Sequence, residues 1–152
     1  MHRASLLALL TRYAEANAEE RAVARRFAAL FEARPDCFER SCLPGHATAS
    51  AFIVSADRSA FLLTHHRKLG KWLQLGVPLD IDIHAIPARA GEPAHDHYDV
   101  RFLLQAGADQ ELVMSHESTG LAWFPMADAR EIEGRESLGR LWRKARSWLA
   151  MT

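Results

Sequence analysis

Apolar residues return every third or fourth position over residues 4 to about 16, where Leu6, Leu9, Leu10 and Tyr13 fall on one side of a helix. The same spacing returns over residues 19 to about 33 with Val23, Phe27, Leu30 and Phe31. Asn17 can cap the second helix, Glu20 completes a capping box three residues on, and Pro35 ends the helix. Each helix has a single apolar face. The pattern therefore predicts an N-terminal helical hairpin over residues 1–44 that packs onto the rest of the chain or onto a second copy.

From Gly45 the period shortens to two. "ATASAFIVS" (47–55), the turn "ADRS" and "AFLLTHH" (60–66) read as a β-hairpin. "LDIDIHAI" (79–86) alternates, with Leu79, Ile81, Ile83 and Ala85 on one face and Asp80, Asp82 and His84 on the other. "PARAGEPAHDH" reads as a loop with two prolines and a glycine, and "YDVRFLLQA" (98–106) as a strand. "ELVMS" (111–115) and "LAWFP" (121–125) read as short strands, and "ADAREI" as a helical turn. Residues 136–150 return to helical spacing, with Leu138, Leu141, Trp142, Ala145, Trp148 and Leu149 as an apolar stripe. Many strands with few helices predict a mixed sheet covered by helices, of the α/β or α+β class. No internal repeat or low-complexity tract interrupts the pattern.

Composition narrows the function classes. Lys+Arg 19 and Asp+Glu 19 cancel, so no broad positive field points to nucleic acid or an anionic membrane. Arg21, Arg25 and Arg26 sit beside Glu15, Glu19 and Glu20, the pattern of a solvated helix face. No apolar run approaches the ~20 residues of a membrane-spanning helix. The short apolar stretch near the start runs into a charged helix without a clear cleavage site, and a cytoplasmic location is expected. Cys37 and Cys42 lie in a loop-like segment without companion ligands and are expected to be reduced thiols.

The string "TASAFIVSADRSAFLLTHHRKLGKWLQLG" resembles the opening of a Nudix hydrolase domain. "DIDIHAIPAR", "HDHYDVRFLL" and "ESTGLAWFPMADA" are similar to the strands that follow the catalytic box in one bacterial branch of that family, and residues 46 to 149 are covered in order. The resemblance implies an α/β/α sandwich around a mixed sheet over residues 45–152. It also implies an ancestral metal-dependent hydrolysis of nucleoside-diphosphate-linked or other phosphoanhydride substrates, with Mg²⁺ or Mn²⁺ as cofactor.

The family's signature, G-x5-E-x7-R-E-U-x-E-E-x-G-U with U apolar, should begin at or beside Gly76. Here Gly76 is followed by Val77, Pro78 and the next strand, and no R-E-U-x-E-E occurs. The nearest string, "REIEGRE" (130–136), follows the last strand and has Gly134 where a carboxylate is needed. The box helix places glutamates one turn apart so that several oxygens meet one hard cation, which neutralises the pyrophosphate and activates water. Without it, the chain as written is expected to be inactive, with Mg²⁺ and Mn²⁺ the family cofactors and no cofactor at all an open reading. A non-catalytic ligand-binding or interaction module on the same scaffold is the alternative. The missing segment is a natural loss, a deliberate deletion or a stretch not represented in the chain; the smooth match on both sides favours clean excision.

Candidate site residues follow. Among His84, His95, Asp96, His97 and Asp99, the imidazoles suit Zn²⁺ or Ni²⁺. With no third ligand assured, they are expected to lie near a substrate pocket rather than to form a tight metal centre at His95 and His97. By resemblance, Glu117 in "SHES" matches a position where some relatives carry an extra base or metal ligand; a solvated loop carboxylate fits equally well. Arg67 and Lys71, with His65, His66 and Lys68, are phosphate contacts or ordinary edge protection. By the family position that the resemblance implies, Trp72 is a pocket wall, with a core role equally open, and Arg101 and His84 are pocket residues for a nucleotide-like small molecule. A link of three residues spans at most about 10 Å. Loss of the box helix would bare apolar surface around Trp72 and Ile81, so a homodimer is expected.

Overall fold

The computed structural model describes residues 3–64, 73–74, 78–108, 111, 120–129 and 136–151. Among them are three α-helices, α1 (Arg3–Ala16), α2 (Arg21–Ala33) and α3 (Glu136–Met151). Six strands accompany them: β1 (Gly45–Val54), β2 (Ala60–Thr64), β3 (Leu73–Gln74), β4 (Asp80–Ile86), β5 (His95–Gln105) and β6 (Leu121–Pro125). Short 3-10 turns cover Ala18–Glu20 and Met126–Ala129. The class is the expected mixture of helices and a mixed sheet. Among the described residues no helix is long and apolar enough to cross a membrane.

The chain forms two compact units, Met1–Ser50 with Asp80–Arg101, and Ala51–Leu79 with Phe102–Thr152. In the first, α1 buries Leu6, Leu10 and Tyr13, and α2 buries Ala24, Phe27, Leu30 and Phe31, as their spacing predicts. The capping box does not form. Asn17 Nδ2 donates back to the Tyr13 carbonyl at 2.9 Å, and the Asn17 backbone N–H bonds the same oxygen. Glu20 accepts from the Tyr13 hydroxyl. Asn17 thus closes α1 instead of opening α2, because unpaired carbonyls at the end of a helix compete for its amide donors, while Glu20 is engaged by the Tyr13 hydroxyl. Arg34, before Pro35, is extended (φ −121°, ψ 103°), as proline demands of its predecessor, and α2 stops there. Phe27 meets Phe31 and Tyr98 of β5 edge to face, at ring separations of 5.8 and 5.2 Å, which seats α2 against the Tyr98 side of β5. Cys37 and Cys42 are buried, free thiols. Burial raises the pKa of both above the ordinary thiol value.

β4 and β5 pair antiparallel from Asp80↔Arg101 to Ile86↔His95. The loop expected to run through His97 therefore ends sooner, because the "HDH" triplet belongs to β5. The Asp96 N–H bonds Pro44 O ahead of β1, and the Ala106 N–H bonds Val54 O at its end. Both contacts advance in the same sense along the two strands, so β5 and β1 run parallel and the sheet is mixed. Gly45 opens β1 where a Cβ would lie 2.6 Å from Asp96 O and 2.9 Å from the Tyr98 ring, so only glycine permits this approach.

In the second unit β1 and β2 form the predicted hairpin, with Val54 opposite Phe61, and β2 pairs antiparallel with β6. The strand order is β3-β5-β1-β2-β6. α3 covers a core of Phe52, Val54, Phe61, Leu103, Ala129, Leu141, Trp142 and Ala145. Leu138, expected in the α3 stripe, is exposed, because the buried face of the helix begins at Gly139 and Leu141.

The apolar patch expected to be bare at Ile81 does not exist there: Ile81 is 1% exposed, and α2 packs against β4. Trp72, the Gly76–Val77 junction and nearly all of the "ELVMS" segment lie outside the described residues.

Candidate functional site

A sheet face turned to a core is ordinarily apolar. In the first unit one face is polar across three strands. β4 supplies Asp80, Asp82 and His84, β5 supplies His95, His97, Asp99 and Arg101, and β1 supplies His46, Thr48 and Ser50. Five of these, His46, Asp80, His95, Asp99 and Arg101, are buried. The antiparallel register sets Asp80 opposite Arg101, Asp82 opposite Asp99 and His84 opposite His97.

Arg101 organises one end. Its Nε donates to Asp99 at 3.0 Å, Nη1 to Asp80 at 3.2 Å and Nη2 to Asp82 at 2.8 Å. Asp99 also accepts from the hydroxyls of Thr48 (3.1 Å) and Ser50 (2.7 Å). A guanidinium presents a rigid planar fork of donors, which suits it to hold several carboxylates at fixed positions. These acids are engaged by a cation the protein itself supplies. They do not fit Mg²⁺ or Mn²⁺, which need carboxylate oxygens turned toward an open position.

Imidazoles fill the other end. His46 stacks on His95 with ring centroids 5.0 Å apart, and His97 lies 4.8 Å from His46 and 5.1 Å from His95. One ring nitrogen from each of the three falls within 4.8 Å of the others. His95 Nδ1 is 2.8 Å from the Pro93 carbonyl. A carbonyl only accepts, so that nitrogen carries the proton and the neutral ring keeps a lone pair on Nε2. His95 Nε2 and His46 Nδ1 are buried with no hydrogen-bond partner among the described residues. His84 lies beside the group, 5.5 Å from His97 between ring centroids, with Nδ1 directed at Asp82 at 3.1 Å. Burial, followed by the neighbouring imidazoles His46, His84 and His95, pushes the His97 pKa down to about 4. Burial, then His95, pushes His46 down from its ordinary value. Both rings are therefore neutral at pH 7.

Of the residues singled out from sequence, His84, His95, His97 and Arg101 come together on this face. Arg101 is buried and donates to Asp80, Asp82 and Asp99 at once. Glu117, Arg67, Lys71 and Trp72, with His65, His66 and Lys68, lie outside the described residues. The sequence reading missed His46, Thr48 and Ser50. Their signal was a polar stripe at period two in "GHATAS", matching the stripe His95–His97–Asp99–Arg101 on β5. No family model matches the chain, and no curated protein matches its sequence.

Proposed function

We propose that the chain is a ligand-binding module of Nudix hydrolase lineage, with the polar face of β1, β5 and β4 as the floor of its site, and that as written it does not hydrolyse phosphoanhydrides. The observation that carries this reading is the buried, hydrogen-bonded polar face itself. Burying so many polar groups is costly unless each is paired, and a structural core gains nothing from them. The order of Nudix-like segments supports the lineage, and the missing R-E-U-x-E-E cluster supports the loss of chemistry. The ligand class, carried over from the resemblance, is a nucleotide-like small molecule, with His84 and Arg101 of the polar face as its proposed contacts. A second reading, the intact hydrolase with Glu117 as an added base, is favoured by the smooth match on both sides of Gly76–Val77 and requires a segment between them.

A panel of nucleoside diphosphate derivatives, assayed with Mg²⁺ and then Mn²⁺ for phosphate release, distinguishes the two readings. The expected result is no metal-dependent turnover, together with saturable binding that shifts the NMR signals of His84 and Arg101. Turnover on the ordinary enzyme scale, roughly 1 s⁻¹ or more, abolished by chelator, would overturn the loss of chemistry. Absence of any saturable ligand in the panel would overturn the binding reading.

A further inference from the structure

We propose that His46, His95 and His97 form a three-histidine site for a borderline transition-metal ion of the Zn²⁺ class. The inference is independent of the lineage and ligand proposed above. The residues come from two strands that the fold sets side by side: His46 begins β1, and His95 and His97 begin β5, two apart and so on one face. The close approach at Gly45 brings the strand starts together, and the three rings converge at centroid separations of 4.8 to 5.1 Å.

Two further observations point to a ligand. His46 Nδ1 and His95 Nε2 are buried without a partner among the described residues, at residues only 4% and 6% exposed. A buried polar atom left unpaired is costly, and such atoms are rare outside sites that something else completes. The Pro93 carbonyl holds the proton of His95 on Nδ1 at 2.8 Å, leaving the Nε2 lone pair available. This is the outer-sphere contact that metal-binding histidines characteristically make. Three imidazoles without a carboxylate among them select Zn²⁺, Ni²⁺, Co²⁺ or Cu²⁺ over Mg²⁺ and Ca²⁺.

The geometry sets the fit. A tetrahedral ion with Zn–N bonds of about 2.05 Å needs its nitrogens about 3.4 Å apart. The three candidate nitrogens lie within 4.8 Å of one another. Binding requires the rings to turn about their side-chain torsions until the nitrogens close to that separation. The site is therefore expected to bind with micromolar or tighter affinity, and three protein ligands leave a fourth position for water or a ligand atom.

The test uses the full chain, stripped with chelator and titrated with Zn²⁺ by calorimetry at pH 7.5. One equivalent is expected at a dissociation constant of about 10 μM or below, weakened at least about tenfold in each of His46→Asn, His95→Gln and His97→Asn. The double substitution His65→Gln/His66→Gln, at the adjacent histidine pair elsewhere in the sequence, should leave that equivalent in place. Long-range ¹H–¹⁵N spectra of the unsubstituted protein give a readout that requires no variant to fold: Zn²⁺ should shift the ring nitrogens of His46, His95 and His97. Absence of a saturable equivalent, loss of binding with the His65/His66 pair instead, or unmoved ring nitrogens on these three residues would each overturn the proposal.

Discussion

Arg101 ties Asp80, Asp82 and Asp99 into one cluster, with Asp80 fully buried. Removing one partner of a buried ionic group leaves charge without compensation, which costs about 3–5 kcal/mol. Arg101→Met is expected to lower the unfolding free energy in urea by that amount at pH 7. Its deficit should shrink at acid pH, as the stranded carboxylates take up protons. Arg101→Lys should not restore the loss, because a lysine ammonium cannot reproduce the three-way fork. A deficit below about 1 kcal/mol would show that the cluster relaxes around the substitution. From sequence Arg101 reads only as a pocket residue. The register opposite Asp80 is what turns it into a hub, and alternation along one strand does not encode the partner across the ladder.

At the level of elements, the approach of β1 to β5 rests on Gly45. An added Cβ would meet the Asp96 backbone carbonyl at 2.6 Å, an atom that cannot swing aside, so one strand start must shift. Gly45→Ala is expected to destabilise the protein by about 1–3 kcal/mol, the usual cost of overpacking. It should also weaken Zn²⁺ binding, because His46 is the next residue; a variant with unchanged affinity would separate the glycine from the site. α2 is anchored by Phe27, fully buried between Phe31 and Tyr98. Phe27→Ala should cost about 3–5 kcal/mol in chemical denaturation. The α2 stripe was legible from its spacing, whereas the Asn17 cap was not, because capping depends on whether α1 or α2 first claims the side chain.

For the whole molecule, the His97 pKa, lowered to about 4 by burial and neighbouring imidazoles, makes stability depend on pH. The folded state disfavours the charged ring, so this contribution is fully present above the unfolded value of about 6.5 and is lost as pH falls toward 4. His46, lowered for related reasons, acts in the same direction. Urea midpoints of metal-free protein between pH 7.5 and 4.5 should fall more steeply than those of His97→Asn. Parallel curves would exclude this origin of acid sensitivity. Zn²⁺ at about a hundred times its dissociation constant should add about 2.7 kcal/mol at pH 7.5, reversed by chelator.

Three helices, the β1–β2 hairpin and the approximate limits of β4, β5 and β6 were readable from the sequence, because hydrophobic period is a local property of the chain. Which face each strand buries was not readable. The Asp80, Asp82 and His84 stripe looks solvent-facing by alternation, yet Asp80 is buried because Arg101 lies opposite it and satisfies its charge. His46 looks like an isolated residue at the start of a strand, and it joins His95 and His97 only because β1 runs parallel beside β5. Pairing between strands distant in the sequence depends on the closure of the chain as a whole, and no period within either strand records it.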